Sequence, residues 1–188
     1  MIFKKITVFG TGSFGARIAF HLAFNKVDVT VYDRDYGLLE EARTKFREMG
    51  DRYLEQFNTT SENVEAAMAH IAYSMDLTEA VGNAQLVIEA VTEDLGVKKK
   101  IYNQLRQTAP QNALFATTTT SLDPEELSRA LGRPDKFVVF HLTGQKDKTD
   151  SAEVIGLSST DPQILEKVAA FIQEAGMEVT TIKMTSEI

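Results

Sequence analysis

A doubly wound α/β fold, with a mostly parallel sheet and helices on both faces, is predicted by three observations. Short apolar runs alternate with helical patterns along the whole of the 188-residue chain. The run Ile6-Thr7-Val8-Phe9 passes directly into Gly10-Thr11-Gly12-Ser13-Phe14-Gly15. A second apolar run, Val27 to Tyr32, ends on Asp33.

Strand, glycine-rich turn, helix, strand and acid in that order form the pattern of a Rossmann-type dinucleotide site. Gly10 allows the tight exit from the first strand, and Gly12 lets the backbone come close to a pyrophosphate. Gly15 lets the helix pack on the sheet. The N–H groups at the helix start, from Ser13 and Phe14 onward, present a positive dipole to phosphates. Asp33 lies about 20 residues on, where a carboxylate accepts hydrogen bonds from the adenosine ribose hydroxyls and repels a 2′-phosphate. Arg34 could reach such a phosphate, but Asp33 before it makes NAD the expected cofactor rather than NADP.

The bulk properties fit one ordinary globular unit, taken as a single domain over 1–188. The chain is 43% hydrophobic and 25% charged. A net charge of −7 argues against nucleic acid or an anionic membrane as the main partner. No cysteine is present, which excludes disulfides, thiolate catalysis and cysteine metal sites; no metal is expected. The stretch after Lys4-Lys5 is broken by glycines, Arg17, His21 and Asn25, so it forms neither a signal sequence nor a membrane span. A cytoplasmic location is the default expectation.

In order, the first helix is predicted from Ser13 to Phe24, closed by Asn25-Lys26, with His21 at the surface or partly packed. Asp35 to Phe57 carries an apolar stripe of Leu38, Leu39, Ala42, Phe46, Met49, Tyr53 and Phe57 at helical spacing, which Gly50-Asp51 could interrupt. Another helix runs to about His70. This helical excursion after the second strand is longer than a crossover requires, and is either a packing device or an arm that touches substrate. Ile71 to Tyr73 is a short strand, and Asp76 caps a short helix. Gln85 to Ala90 is a nearly continuous apolar run, as a buried parallel strand demands, and it leads into Val91-Thr92-Glu93-Asp94. A helix from Asp94 to Thr108 carries Lys98-Lys99-Lys100. The strand Ala113 to Ala116 opens into the hydroxyl-rich turn from Thr117 to Ser121. Asp123-Pro124-Glu125-Glu126 reads as a capping box for a helix ending at Gly132. Lys136 to Phe140 is a strand delivering His141, Leu142 to Ser151 is expected to be a polar loop, and Glu153 to Leu157 is again a strand. A helix after Asp161-Pro162 and a strand from Met177 to Ile182 complete the chain.

Glu93, Thr120 and His141 thus stand at the carboxyl ends of strands, where open α/β sheets place ligands. With Leu86-Val87-Ile88-Glu89-Ala90-Val91-Thr92-Glu93, Val97-Lys98-Lys99 and Ala116-Thr117-Thr118-Thr119-Thr120-Ser121-Leu122, the chain resembles the NAD-binding domain of the L-3-hydroxyacyl-CoA dehydrogenase family from Ile6 to about Ile182. The family's L-V-I-E-A-V-x-E-N-L-x-V-K segment is matched nearly letter for letter. The resemblance implies that Gly10, Gly12, Gly15 and Asp33 contact the pyrophosphate and ribose, and that Glu93 and Lys98 approach the nicotinamide-side ribose. The family's N-T-S-S becomes Thr118-Thr119-Thr120-Ser121, so Thr120 stands in for the active-site serine and Thr118 for the asparagine. His141 matches the catalytic histidine and Glu153 its partner glutamate.

Oxidising a secondary alcohol removes a proton from oxygen while a hydride leaves carbon, and a histidine is suited in pKa to take that proton near neutrality. A carboxylate on its other ring nitrogen fixes the tautomer, and a nearby hydroxyl holds the substrate oxygen.

Two departures bear on substrate. The apolar, proline-containing run after the family's histidine is replaced by Leu142-Thr143-Gly144-Gln145-Lys146-Asp147-Lys148-Thr149-Asp150, which is more polar. The all-helical domain that completes the family's substrate pocket would follow the last residues, Glu187-Ile188. Without that usually dimerising domain, exposed apolar surface would favour a homo-oligomer. The expected partner is a small-molecule substrate, an acyl-CoA or a related hydroxy acid. The expected function is NAD-dependent oxidoreduction at its C3 hydroxyl or keto group, and the alternative is a non-catalytic NAD(H)-binding sensor or regulatory module.

Overall fold

Val8 and Phe9 are neighbours in the first strand, yet they belong to two separate apolar cores, one on each face of a single sheet. The computed structural model describes residues 1–146 and 149–184. Its elements are β1 (Lys5–Phe9), α1 (Ser13–Phe24), β2 (Asp28–Tyr32), α2 (Tyr36–Gln56), α3 (Ser61–Ala69), β3 (Ile71–Ser74), α4 (Leu77–Val81), β4 (Leu86–Glu89), α5 (Leu95–Thr108), β5 (Leu114–Thr117), α6 (Pro124–Leu131), β6 (Phe137–Lys146), β7 (Thr149–Gly156), α7 (Pro162–Glu174) and β8 (Glu178–Lys183).

The strands lie in the order β3-β2-β1-β4-β5-β6-β7-β8, and every neighbouring pair is parallel except β6 with β7. Side chains alternate across a pleated strand. Ile6, Val8, Leu86, Ile88, Ala116 and Val138 therefore pack with α1, α2 and α7, whereas Phe9, Val87, Phe115, Phe137 and Val139 pack with α5 and α6. This is the doubly wound, Rossmann-type architecture expected from the sequence. The order reverses between β1 and β4, and the crevice at such a switch point is where this architecture binds dinucleotides.

The helices start where their caps place them. The carboxylates of Asp35, Asp76, Asp94, Asp123 and Asp161 each accept a backbone N–H of the helix that follows. The capping box at Asp123 is only half formed, because Glu126 pairs with Lys99 at 2.8 Å. Gly50 does not interrupt α2. A Cβ there would lie 2.6 Å from Val64 Cγ1, so the missing side chain lets α3 approach closely.

Two expectations are corrected. The described residues of Leu142 to Ser151 are strand rather than loop, since 142–146 extend β6 and 149–151 open β7 in an antiparallel ladder with a register shift between Leu142 and Gly144. Gly144 has φ 152, a conformation suited to glycine, at that bulge. Polar residues fill these strands because backbone hydrogen bonding, not an apolar stripe, holds them; Asp147 and Lys148 lie outside the described residues. His21 is not at the surface but buried. Its Nε2 is 2.7 Å from the Ala175 carbonyl, and its Nδ1 is 3.1 Å from Tyr53 Oη and 3.3 Å from an Asp150 carboxylate oxygen. Arg17 also bonds Asp150. The start of β7 is thereby tied to α1.

Candidate functional site

The turn after β1 has the shape a pyrophosphate needs. Gly10 (φ 91) is packed against the backbone that leaves β4, where a Cβ would come 2.6 Å from the Ala90 carbonyl oxygen. At Gly15 a Cβ would come 2.0 Å from the Gly10 carbonyl oxygen, so only glycine lets the helix close on the turn. Gly12 differs from both: a Cβ there would meet no atom within 4 Å and would stand in the open crevice. Gly12 is also the N-cap of α1, with no side chain capping it and no acid in the first turn. The N–H groups and dipole at Ser13 and Phe14 therefore face the crevice uncompensated, which fits an anion. Lys45 of α2 holds the turn through the Thr11 carbonyl at 2.9 Å.

Asp33 is oriented before any ligand arrives. One of its oxygens accepts the Thr11 N–H (3.0 Å) and hydroxyl (2.8 Å), and the other accepts the Arg34 N–H (2.9 Å). Arg34 itself is exposed beside it.

On the other side of the switch point, β4 and β5 end in an interlocked set of polar groups. Glu93 Oε1 accepts the backbone N–H groups of Thr120 (2.9 Å) and Ser121 (3.0 Å) and the hydroxyls of Thr119 and Ser121. Glu93 Oε2 lies 3.1 Å from Lys98 Nζ. Burial pushes the Glu93 carboxyl up, but the bonds from Thr119, Ser121, Thr120 and Lys98 outweigh it and hold the pKa down at about 2. Lys98 is fully buried, with its ammonium also 2.7 Å from Glu89 Oε1. Thr118 is half-buried and gives its N–H to the Glu89 carbonyl at 3.0 Å. Thr120 is exposed in the turn.

His141, in β6, lies directly opposite Glu153 in β7. Directly opposed residues of an antiparallel pair share one face of the sheet. Among the described residues no ion pair joins the two, and His141 Nε2 instead sits 2.6 Å from the Thr119 carbonyl. One residue, Thr119, therefore touches both Glu93, through its hydroxyl, and His141, through its carbonyl.

Glu89 and Thr119 escape a reading of strand ends. Glu89 carries a visible signal, a charge inside an otherwise apolar parallel strand, whereas Thr119 is one hydroxyl among several and nothing in the sequence distinguishes it.

The comparisons agree with this geometry. The family model for the 3-hydroxyacyl-CoA dehydrogenase NAD binding domain matches residues 5–185. Hydroxyacyl-coenzyme A dehydrogenase, mitochondrial, from Homo sapiens is 28% identical over 190 residues, covering 98% of this chain and 60% of that protein. A probable 3-hydroxybutyryl-CoA dehydrogenase from Bacillus subtilis is 28% identical over 170 residues, covering 90% of this chain and 59% of that one. Among solved structures, a diketoreductase described as acting on dicarbonyl compounds superposes with a TM-score of 0.90 at 35% identity, over 99% of this chain and 65% of its own. The chain spans about 60% of the length of these two curated relatives. The cofactor is NAD, and the chain belongs to the 3-hydroxyacyl-CoA dehydrogenase family, in which it corresponds to the NAD-binding domain.

Proposed function

We propose that residues 1–188 form one NAD-binding domain that transfers a hydride between NAD and the C3 hydroxyl or keto carbon of a 3-hydroxyacyl thioester or a related hydroxy acid. The observation that carries this reading is the meeting, beside the turn after β5, of Glu93 following β4, the Thr118–Ser121 turn itself, and His141 from within β6, opposite Glu153. When bound, NAD supplies the hydride acceptor. Gly10, Gly12, Ser13, Phe14 and Gly15 hold its pyrophosphate. Asp33, with Arg34 beside it, holds the adenosine ribose.

His141 is the base that takes the alcohol proton, and Thr120 holds the same oxygen. Glu153 stabilises the imidazolium that forms, since a carboxylate near the ring favours its charged state. In the bond to the Thr119 carbonyl Nε2 carries the hydrogen, so to act as base the ring leaves Thr119 and takes the other tautomer, with Nδ1–H towards Glu153 and the Nε2 lone pair free for the alcohol proton. Glu93 orders the Thr118–Ser121 turn and faces the nicotinamide ribose. Lys98, with no exposed surface, acts through Glu93.

A cleft of about 460 Å³ between α1, α2 and the start of β7 supports an anionic substrate. Its lining includes Arg17, Lys45 and Arg52 as well as Glu48 and Asp150. In this reading the helical excursion contacts substrate as well as packing on α1.

Acetoacetyl-CoA and a panel of free 3-oxo acids, tested for oxidation of NADH by this chain, decide the reading. Turnover that falls by roughly 10²–10⁴-fold in His141→Ala supports it. NADH binding with no turnover on any member of the panel rejects it.

A further inference from the structure

Glu89 is a carboxylate without exposed surface in the middle of an apolar sheet, and none of the roles above uses it. Both of its oxygens are fully occupied. Oε1 accepts the Val91 N–H at 2.9 Å and the Lys98 ammonium at 2.7 Å, while Oε2 accepts the hydroxyls of Thr117 at 2.7 Å and Tyr102 at 3.2 Å. Tyr102 stays a neutral donor, because burial, and then the charge of Glu89, push its phenol well above the ordinary range. The ammonium of Lys98 is shared with Glu93, which is 34% exposed at the crevice. Two carboxylates and one ammonium leave one uncompensated negative charge, and its outward end is Glu93.

Burying an ion pair is expensive, and a sheet of this kind is as stable with apolar residues in its place. The arrangement is better understood from what faces it. Asp33 takes the adenosine ribose at the end of β2, so the nicotinamide half of the dinucleotide lies over β4, β5 and β6. The oxidised nicotinamide ring carries a positive charge and the reduced ring carries none. A fixed charge in a partly desolvated site acts on one form and not the other, and only such a difference can bias the two.

We propose that Glu89, Lys98 and Glu93 form a prearranged anionic triad that raises the affinity of the site for oxidised relative to reduced NAD, with Glu89 as its positioning residue. Glu89 holds Lys98 on the buried side, so that the ammonium neutralises only one of the two carboxylates and the remaining negative charge stays with the partly exposed Glu93. This rests on the NAD reading of the site and does not depend on the identity of the substrate.

The test is a comparison of the dissociation constants of NAD+ and NADH, by calorimetry and by NADH fluorescence, for the wild-type chain and three variants. Glu89→Gln removes one charge and preserves shape, because the amide oxygen can face Val91 and Lys98 while its NH2 faces the Thr117 and Tyr102 hydroxyls, which can accept. Glu93→Gln removes the outward charge from a more exposed position. Tyr102→Phe removes a hydrogen bond to Glu89 and no charge. In both glutamine variants NAD+ affinity is expected to fall roughly tenfold more than NADH affinity, as one unit charge at moderate effective dielectric implies. In Tyr102→Phe the ratio of the two constants should stay at the wild-type value. An unchanged ratio in Glu89→Gln overturns the proposal, and if that variant does not fold, an unchanged ratio in Glu93→Gln does so. A ratio that moves as far in Tyr102→Phe as in Glu89→Gln also overturns it, because packing would then be the cause. A wild-type chain that binds both forms while the glutamine variants keep its ratio leaves the NAD reading standing; one that binds neither removes both.

Discussion

The imidazole Nε2 of His141 lies 2.6 Å from the main-chain oxygen of Thr119, whose own hydroxyl donates to Glu93. The proposed base and the acid proposed to face the nicotinamide ribose are thus linked through one residue of the turn after β5. Glu153, the expected partner of His141, stands opposite it in the ladder on the same face, with no ion pair between them among the described residues.

Gly12 and Gly15 are expected to fail in different ways when changed to alanine. At Gly12 the added methyl meets no protein atom and stands where a pyrophosphate would come. Gly12→Ala should keep its unfolding free energy within about 0.5 kcal/mol of wild type while losing most of its NADH affinity. Gly15→Ala drives the methyl to 2.0 Å from the Gly10 carbonyl oxygen, and should cost about 3 kcal/mol or more of stability. Urea denaturation beside NADH titration separates the two; equal effects of both variants on stability would contradict this account.

Asp33 holds Thr11 with two hydrogen bonds and is the proposed ribose ligand. Asp33→Ala should weaken NADH binding by roughly 10–100-fold, the range expected for losing hydrogen bonds to a charged group. It should also narrow the discrimination against NADPH, because the repelling charge is gone and Arg34 remains. Parallel titrations with both cofactors measure this, and discrimination that stays at the wild-type level would show that the carboxylate does not set it.

Acid should expose the contribution of Glu93. Its folded pKa of about 2 is below the ordinary 4.5, so the stability it contributes is present above pH 4.5 and is lost as pH falls from 4.5 towards 2. Partial exposure to solvent weakens that contribution. Thermal unfolding of wild type should therefore decline more steeply below pH 4.5 than that of Glu93→Gln, with the two curves converging near pH 2. Parallel curves over that interval would mean that the carboxylate is not held by the turn as described.

Asp150 is buried between Arg17 and His21. Burial raises its carboxyl, and the hydrogen bonds and charges of His21 and Arg17 outweigh it and lower it. Asp150→Asn should cost about 1–3 kcal/mol, since it removes the charge that two cation-capable groups share in a desolvated place. It should also loosen the start of β7 from α1, which hydrogen exchange on 149–156 would report. Unchanged protection there would dissociate the cluster from the hairpin.

The sequence by itself determined the alternation of strands and helices, the glycine turn, Asp33, and the placing of Glu93 and Thr120 just past strand ends, whereas His141, expected at a strand end, lies inside β6. These follow from short-range causes: the period of apolar residues, the special conformation at Gly10, and the rule that a parallel strand delivers its last side chains to one edge. Only the tertiary structure decided what those side chains touch. Leu142 to Ser151 is polar and carries no strand pattern, yet 142–146 and 149–151 pair with one another and with Ala152 through their backbone, in the same ladder that sets His141 opposite Glu153. The burial of His21 comes from contacts with Tyr53, Asp150 and Ala175, all distant in the sequence. The charge inside β4 is visible in the sequence, but the joining of Glu89 and Glu93 through Lys98 appears only when α5 is packed against the strand. The His21 contacts link residues far apart along the chain, and the other two depend on how backbone pairs and how α5 packs, none of which an apolar pattern records.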